Sequence, residues 1–130
     1  KKCIIYKATV TSDNSIKCYY GQSEPEFKSR LANHTKSFKY RSYEKYTELS
    51  KYFWRLTDSE KPYDIAWSIA ATASQYKCGT RKCDLCITEK YMIAMAEAES
   101  LLNQKSELIS KCRHCNKFYL KNWKFKQKTK

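Results

Sequence analysis

The sequence predicts an α+β domain. A small three-stranded antiparallel or mixed sheet, built from an N-terminal hairpin and one later strand, packs with helices. Three observations carry this. Two β-prone runs near the N-terminus flank a short polar turn. Two later stretches place apolar residues at helical spacing. Residues 64–70 then alternate apolar and other types as a half-buried strand does.

The elements follow in order. Residues 3–11 are rich in β-branched and aromatic types, and Ile16-Lys17-Cys18-Tyr19-Tyr20-Gly21 is similar. The polar run Ser12-Asp13-Asn14-Ser15 between them predicts a hairpin, with Gly21 ending its second strand. Ser23-Glu24-Pro25-Glu26 has the form of a capping box with proline in the first turn, and Phe27, Leu31 and Phe38 share one stripe. That predicts a helix to about residue 38. Tyr46, Leu49, Phe53 and Leu56 predict a second helix over 43–57, and Pro62 closes the region. Ile65, Trp67 and Ile69 on alternate positions predict the third strand. From Leu85 to about Glu99 the Ala, Met, Glu and Ile content predicts a third helix, with a shorter helical piece near 106–110. Residues 1–120 read as one domain and 121–130 as a basic tail.

Composition narrows the function. The 130 residues are 42% hydrophobic with only two glycines and two prolines, which excludes collagen-like and most disordered classes. Twenty-six Lys and Arg against 13 Asp and Glu give a net charge of +13, a single-sign field suited to a polyanion. No apolar run approaches a membrane span, no signal peptide is expected, and the missing initiator Met suggests a piece of a longer chain.

Seven cysteines, five of them in two tight clusters, fit metal ligation in a reducing intracellular compartment better than a disulfide framework. Cys83-Asp84-Leu85-Cys86 has knuckle spacing, and Cys112-Arg113-His114 offers a second thiolate and an imidazole downstream. Together these supply the four ligands of a tetrahedral, structural Zn²⁺ site within residues 78–115, with Cys78 and Cys115 as spare candidates. The competing reading is a set of buried thiols with a redox pair at Cys83 and Cys86. Cys3 and Cys18 read as buried or free thiols on neighbouring strands.

Arg30 and His34 are four apart and therefore share a helix face, where a guanidinium and an imidazole can meet a phosphate. Tyr6 and Tyr19 stand on the two hairpin strands. Taken alone, each of these is an ordinary surface or packing residue. Taken together, Ile4-Ile5-Tyr6, Tyr19-Tyr20-Gly21, Arg30 and His34 resemble the GIY-YIG nucleases. The finer resemblance is to the endonuclease domain of Penelope-like retroelements. It is carried by Phe27-Lys28-x-Arg30-x-x-Asn33-His34, Cys83-Asp84-Leu85-Cys86-x-x-Glu89-Lys90, Leu102-Asn103, and the run from Glu107-Leu108 through Cys112-Arg113-His114 to Phe118. It spans about residues 3–120. Ile4 replaces the first tripeptide's glycine and Tyr20 the second's isoleucine.

The resemblance implies Mg²⁺- or Mn²⁺-assisted hydrolysis of a DNA phosphodiester. Glu89 would hold the ion, Arg30 would neutralise a non-bridging oxygen, and Tyr6 would be the general base with His34 in reach. Tyr19 would bond a phosphate oxygen or water. Asn103 would support the metal-side groups or, alternatively, close a turn. Glu97 and Glu99 are rival carboxylates on the same predicted helix, equal to Glu89 without the resemblance. Implied partners are double-stranded DNA and a reverse transcriptase region of the same polyprotein with its RNA; the implied location is nuclear, the implied role nicking to prime reverse transcription.

The basic surface adds Lys36, Lys39, Arg41 and Lys45, set among Tyr40 and Tyr43, and a tail with Lys121 and Lys124 around Trp123. Such patches bind phosphate backbones with little sequence preference. The tail reads equally as a solvated terminus. Alternatives to the nuclease are a catalytically silent, zinc-stabilised nucleic-acid-binding module, and a protein-interaction module whose charge only aids solubility.

Overall fold

A computed structural model describes residues 3–13, 15–23, 27–74, 76, 77, 79, 83–104 and 107. The chain is α+β. Strands β1 (Cys3–Ser12), β2 (Ser15–Ser23) and β3 (Asp64–Ala73) form one sheet in the order β2-β1-β3, with both pairings antiparallel. Helices α1 (Phe27–Lys39) and α2 (Glu48–Asp58) precede β3, and α3 (Asp84–Met95) follows it.

The hairpin closes where Ser12 faces Ser15, and Asp13 supplies the left-handed turn conformation at φ 53°. A short polar residue tolerates that region better than a branched one. The strand alternation sends successive side chains to opposite faces. Ile4, Tyr6, Ala8 and Val10 of β1 meet Phe27 and Phe38 of α1 and Leu49, Tyr52 and Leu56 of α2. Cys3 and Ile5 point the other way, to Leu85, Cys86, Ile93 and Ala94 of α3. Both faces of the central strand are therefore covered, and the molecule has three layers.

Helices α1 and α2 are locked by Phe38 stacking on Phe53 at 4.6 Å and by the Trp54 indole donating to the Ser37 carbonyl at 2.8 Å. Helix α2 starts at Glu48, five residues later than the sequence predicts. Thr47 and Ser50 form a reciprocal capping box there, and a 3₁₀ turn over Arg41–Tyr43 occupies the preceding residues. Tyr46 consequently lies outside the helix, and Tyr52 takes a place in the buried stripe with Leu49, Phe53 and Leu56.

Three other boundaries differ. Strand β2 runs past Gly21 to Ser23, so Ser23 pairs with Ile4 and is strand rather than helix cap; residues 24–26, the rest of the expected capping box, lie outside the described residues. Helix α3 ends at Met95, where the chain turns to place a second 3₁₀ turn, Ala98–Ser100, and bring Leu101 beside Cys18 in a parallel bridge. Leu102 then donates its amide to the Cys18 carbonyl at 2.8 Å. Ile69, expected on the buried alternation of β3, is 64% exposed on this edge strand. Of the helical piece near 106–110 only Glu107 is among the described residues, and the tail 121–130 lies outside them. Among the described residues no helix is long and apolar enough to cross a membrane.

Candidate active site

Strand register brings Tyr6 opposite Gly21. The Tyr6 phenol crosses directly over that glycine, and a Cβ at position 21 would overlap its ring and hydroxyl. Glycine is required there because only a bare Cα lets the ring pass. The buried Tyr6 hydroxyl reaches His34 Nε2 at 2.7 Å across the sheet–helix interface. His34 is fully buried in α1, as the i+4 spacing from the half-buried Arg30 allows, and rings surround it. Trp67 lies at 5.4 Å, Tyr6 at 5.5 Å, Tyr46 at 5.9 Å, Tyr19 at 6.0 Å and Phe38 at 6.4 Å between centroids.

Burial dominates the electrostatics. It pushes Tyr6 up to about 12, opposed by the charge and hydrogen bond of Arg30. It pushes Tyr19 well above its ordinary value, with the negative charge of Glu107 as the next cause. It lowers His34 to about 4, with the Arg30 charge acting in the same direction, so the imidazole is neutral at physiological pH. His34 Nδ1 is buried with no hydrogen-bond partner among the described residues. A proton on Nε2, donated to Tyr6, leaves Nδ1 a bare acceptor, which is a less costly orphan than a buried N–H. Arg30 is held above its ordinary value: burial works against its charge, but the Tyr6, Tyr46 and Tyr19 hydroxyls outweigh it. The Arg30 guanidinium also donates to the Tyr46 hydroxyl.

Glu89 reaches the same place from the opposite layer. It is half-buried on α3, accepts a 2.8 Å hydrogen bond from Gln22 Nε2, and interacts electrostatically with Tyr6, Tyr19 and Arg30. Burial raises its carboxyl to about 7, with Glu107 adding to the rise and Gln22, Lys90 and Arg30 opposing it. The rival carboxylates are elsewhere: Glu97 and Glu99 are exposed beyond the end of α3.

Asn103 is also brought in, but as a clasp. Its Oδ1 accepts from the Tyr20 amide and its Nδ2 donates to the Tyr20 carbonyl, both at 2.8 Å, while Nδ2 also donates to Glu107 Oε1 at 3.3 Å. Its side chain continues the pairing of residues 101–102 along β2 and so fixes the backbone next to Tyr19. This is pairing with a distant strand and not the closing of a turn.

Sequence reasoning did not single out four residues of this region. Gln22 holds Glu89; its position just past Gly21 on β2 was the available signal. Glu107, quoted only within a motif, accepts from the Gln104 amide at 2.6 Å and hydrogen-bonds Tyr19. Local spacing makes Trp67 a strand residue and Tyr46 a helix-stripe residue. Contacts across 16 residues of chain for Tyr46 and 67 for Gln22 define their roles, and local spacing does not report them.

The expected zinc site is only half within the described residues. Cys83 precedes α3 and Cys86 lies in its first turn; both are buried, and spacing of three residues puts them on one side of the helix. A helix N-terminus favours thiolates, so this pair fits half of a tetrahedral zinc site. Cys112, His114, Cys78 and Cys115 lie outside the described residues. Among the described residues no group of three or more His, Cys, Asp or Glu is placed to hold a metal ion, and no two cysteines are joined in a disulfide.

The basic surface divides. Lys36, Lys39 and Lys45 are exposed, whereas Arg41 is committed internally: it binds Asp58 at 2.6 and 2.8 Å and Glu44 at 3.0 Å, and stacks over Trp54 at 5.0 Å. Lys121 and Lys124 lie outside the described residues. Comparison of the chain with family models, with curated proteins and with solved structures finds no match in any of the three.

Proposed function

We propose that the chain is a divalent-metal-dependent DNA endonuclease domain of the GIY-YIG type, stabilised by Zn²⁺ and belonging to a retroelement polyprotein. One observation carries the reading. Tyr6 and Tyr19 from two strands, Arg30 and His34 from one layer, and Glu89 from the other are mutually coupled at one end of the sheet. Covering both faces of a sheet does not require that convergence. Phosphodiester hydrolysis requires a cation for the phosphoryl charge, a carboxylate for a hard metal ion and a positioned hydroxyl.

Glu89 would hold the Mg²⁺ or Mn²⁺ ion, which supplies charge stabilisation for the phosphoryl oxygens and the leaving group when bound. Gln22 orients the carboxylate through its 2.8 Å bond. Arg30, bonded to the Tyr46 hydroxyl, would take a non-bridging phosphate oxygen. Tyr6 is the candidate general base, but burial holds its phenol up at about 12 and the His34 imidazole down at about 4, so in the resting site the proton stays on the phenol. His34 instead steadies the Tyr6 oxygen by donating to it, and Arg30 is the group that pulls the phenol toward ionisation. Zinc would sit on Cys83 and Cys86 with Cys112 and His114. Double-stranded DNA is the proposed substrate, with the reverse transcriptase region and its RNA as proposed partners in a nuclear setting.

The test is a supercoiled-plasmid nicking assay in Mg²⁺ or Mn²⁺. Metal-dependent conversion to open circles, lost in both Arg30→Ala and Glu89→Ala, is the expected result. The unprimed state of Tyr6 and His34 favours a second reading, a catalytically silent zinc-stabilised nucleic-acid-binding module. A folded protein that shifts DNA and never nicks it would select that reading.

A further inference from the structure

The segment between α1 and α2 is not a plain connection. Three successive backbone hydrogen bonds, Tyr43 to Tyr40, Glu44 to Arg41 and Tyr46 to Tyr43, each at 3.0 Å, wind it with 3₁₀ character. The 3₁₀ turn itself is Arg41–Tyr43, with Tyr40 extended before it and Tyr46 beyond it. Tyr40, Tyr43 and Tyr46, three apart along this segment, are exposed by 49%, 41% and 41%. They are three of the five markedly exposed tyrosines among the described residues, gathered into seven positions. Arg41 pins the turn from behind through Asp58, Glu44 and Trp54, so the ladder is held in place.

Each ring carries a cation. Lys39 Nζ lies 5.5 Å from the Tyr40 ring, Lys36 Nζ 4.8 Å from Tyr43, and the Arg30 guanidinium 5.7 Å from Tyr46. An open groove along α1, reaching Tyr40, is lined by Lys28, Leu31, Ala32, Thr35, Lys36, Lys39 and Tyr40. At the other end of the tyrosine row Tyr46 bonds Arg30 and sits 5.9 Å from His34.

We propose that Tyr40, Tyr43 and Tyr46, with Lys36 and Lys39, form a platform that binds single-stranded DNA and leads it toward Arg30. Rings accept unstacked bases and the lysines turn outward to the phosphates, the combination by which single strands are held without sequence readout. Exposed rings can take the faces of unpaired bases, whereas the base faces of a duplex are hidden in its stack. Duplex DNA would meet the lysines alone. Continuity with Arg30 argues for DNA over RNA, and that part rests on the nuclease reading; affinity for the unpaired strand does not.

The test is fluorescence anisotropy in magnesium-free buffer, with labelled oligo-dT, oligo-rU and a mixed-sequence duplex, each of about 15 nucleotides or base pairs. The wild-type protein should bind oligo-dT at least as tightly as the duplex. The Tyr40→Leu/Tyr43→Leu pair, which keeps bulk but removes the π faces, should weaken oligo-dT binding roughly ten-fold or more while changing duplex binding less than about two-fold. Tyr40→Phe/Tyr43→Phe should bind like wild type. Equal losses on both DNAs, no loss, or failure of the Phe pair to restore binding overturns the platform; tighter binding of oligo-rU overturns its assignment to DNA. A thermal melt checks that the Leu pair is folded, and Tyr43→Leu alone gives the same comparison if it is not. Glu89→Ala keeps oligo-dT binding whatever its effect on nicking, so loss of the nuclease reading and loss of the platform are separate results.

Discussion

The two faces of the central sheet are built from different materials. The face toward α1 and α2 is aromatic and titratable: Tyr6, Tyr19, His34, Phe27, Phe38 and Trp67 pack ring against ring. The face toward α3 is made of small aliphatics and thiols: Cys3, Ile5, Ala73, Cys83, Cys86, Ile93 and Ala94, with Tyr20 as its one fully buried ring. Rings can hold a buried hydroxyl or imidazole at fixed distance because they have few rotatable bonds. Small side chains fill space cheaply but bury little area each, which is where a metal staple is most useful. The first face carries buried titratable groups and the second a mainly aliphatic and thiol core, and their stabilities should respond to different insults.

The harshest break of that contrast is Gly21→Ala. The added methyl must displace the Tyr6 ring, whose hydroxyl is tied to His34, so the variant should lose about 4 kcal/mol in urea unfolding and lose plasmid nicking with it. Ile93→Ala attacks the supporting face. Ile93 is fully buried, and its truncation should cost about 3 kcal/mol at every pH while sparing oligonucleotide binding at low temperature.

The aromatic face should betray itself by pH. His34 protonates near 4 when folded and near 6.5 otherwise, so the unfolded chain takes up the proton first as pH falls. The stability His34 contributes is intact above 6.5, declines between 6.5 and 4, and is gone below, a loss on the order of 3 kcal/mol. Glu89 moves the opposite way over nearly the same window, so the readout is the difference between proteins: urea midpoints of wild type should fall relative to those of His34→Gln as pH drops from 6.5 to 4. Glu89 has the opposite sign. Its folded value near 7 exceeds the ordinary 4.5, so the stability it contributes in the protonated form is present below 4.5 and lost as pH rises through 7. In magnesium-free buffer Glu89→Gln should therefore be more stable than wild type at pH 8, by on the order of 2 kcal/mol, and equal to it at pH 4. Thermal melts at the two values decide it.

Local signals made much of this fold readable. β-Branched runs around a polar turn marked the hairpin, and the i, i+4 relation of Arg30 and His34 put both on the inner side of α1. What local signals missed was set at a distance. Tyr46 fits the apolar spacing of α2, yet Thr47 and Ser50 cap the helix after it, and Arg41 reaches Asp58 to hold the intervening turn. Ala96 to Glu99 has strong helix composition, but pairing of Leu101 and Leu102 with Cys18 overrides it. The preference for Glu89 over Glu97 and Glu99 rests on resemblance; in the fold Glu89 is half-buried and bonded to Gln22, while Glu97 and Glu99 are exposed. Gln22, Glu107 and Trp67 acquire their roles only when the three layers close.

The clasp of Asn103 on Tyr20 has a consequence for self-association. A sheet of three strands has two open margins, each a template for another chain. On β2 that margin is occupied: Leu101, Leu102 and the Asn103 amide take up backbone groups of Cys18 and Tyr20. On β3 Ile69 stands exposed beside the sheet's other margin. Among the described residues β3 is the margin left for strand addition, so growth of one molecule onto another there would leave the strand bearing Tyr19 untouched. Mutual repulsion at a net charge of +13 opposes that growth, so the colloidal state of the protein is governed by ionic strength at one margin of the sheet.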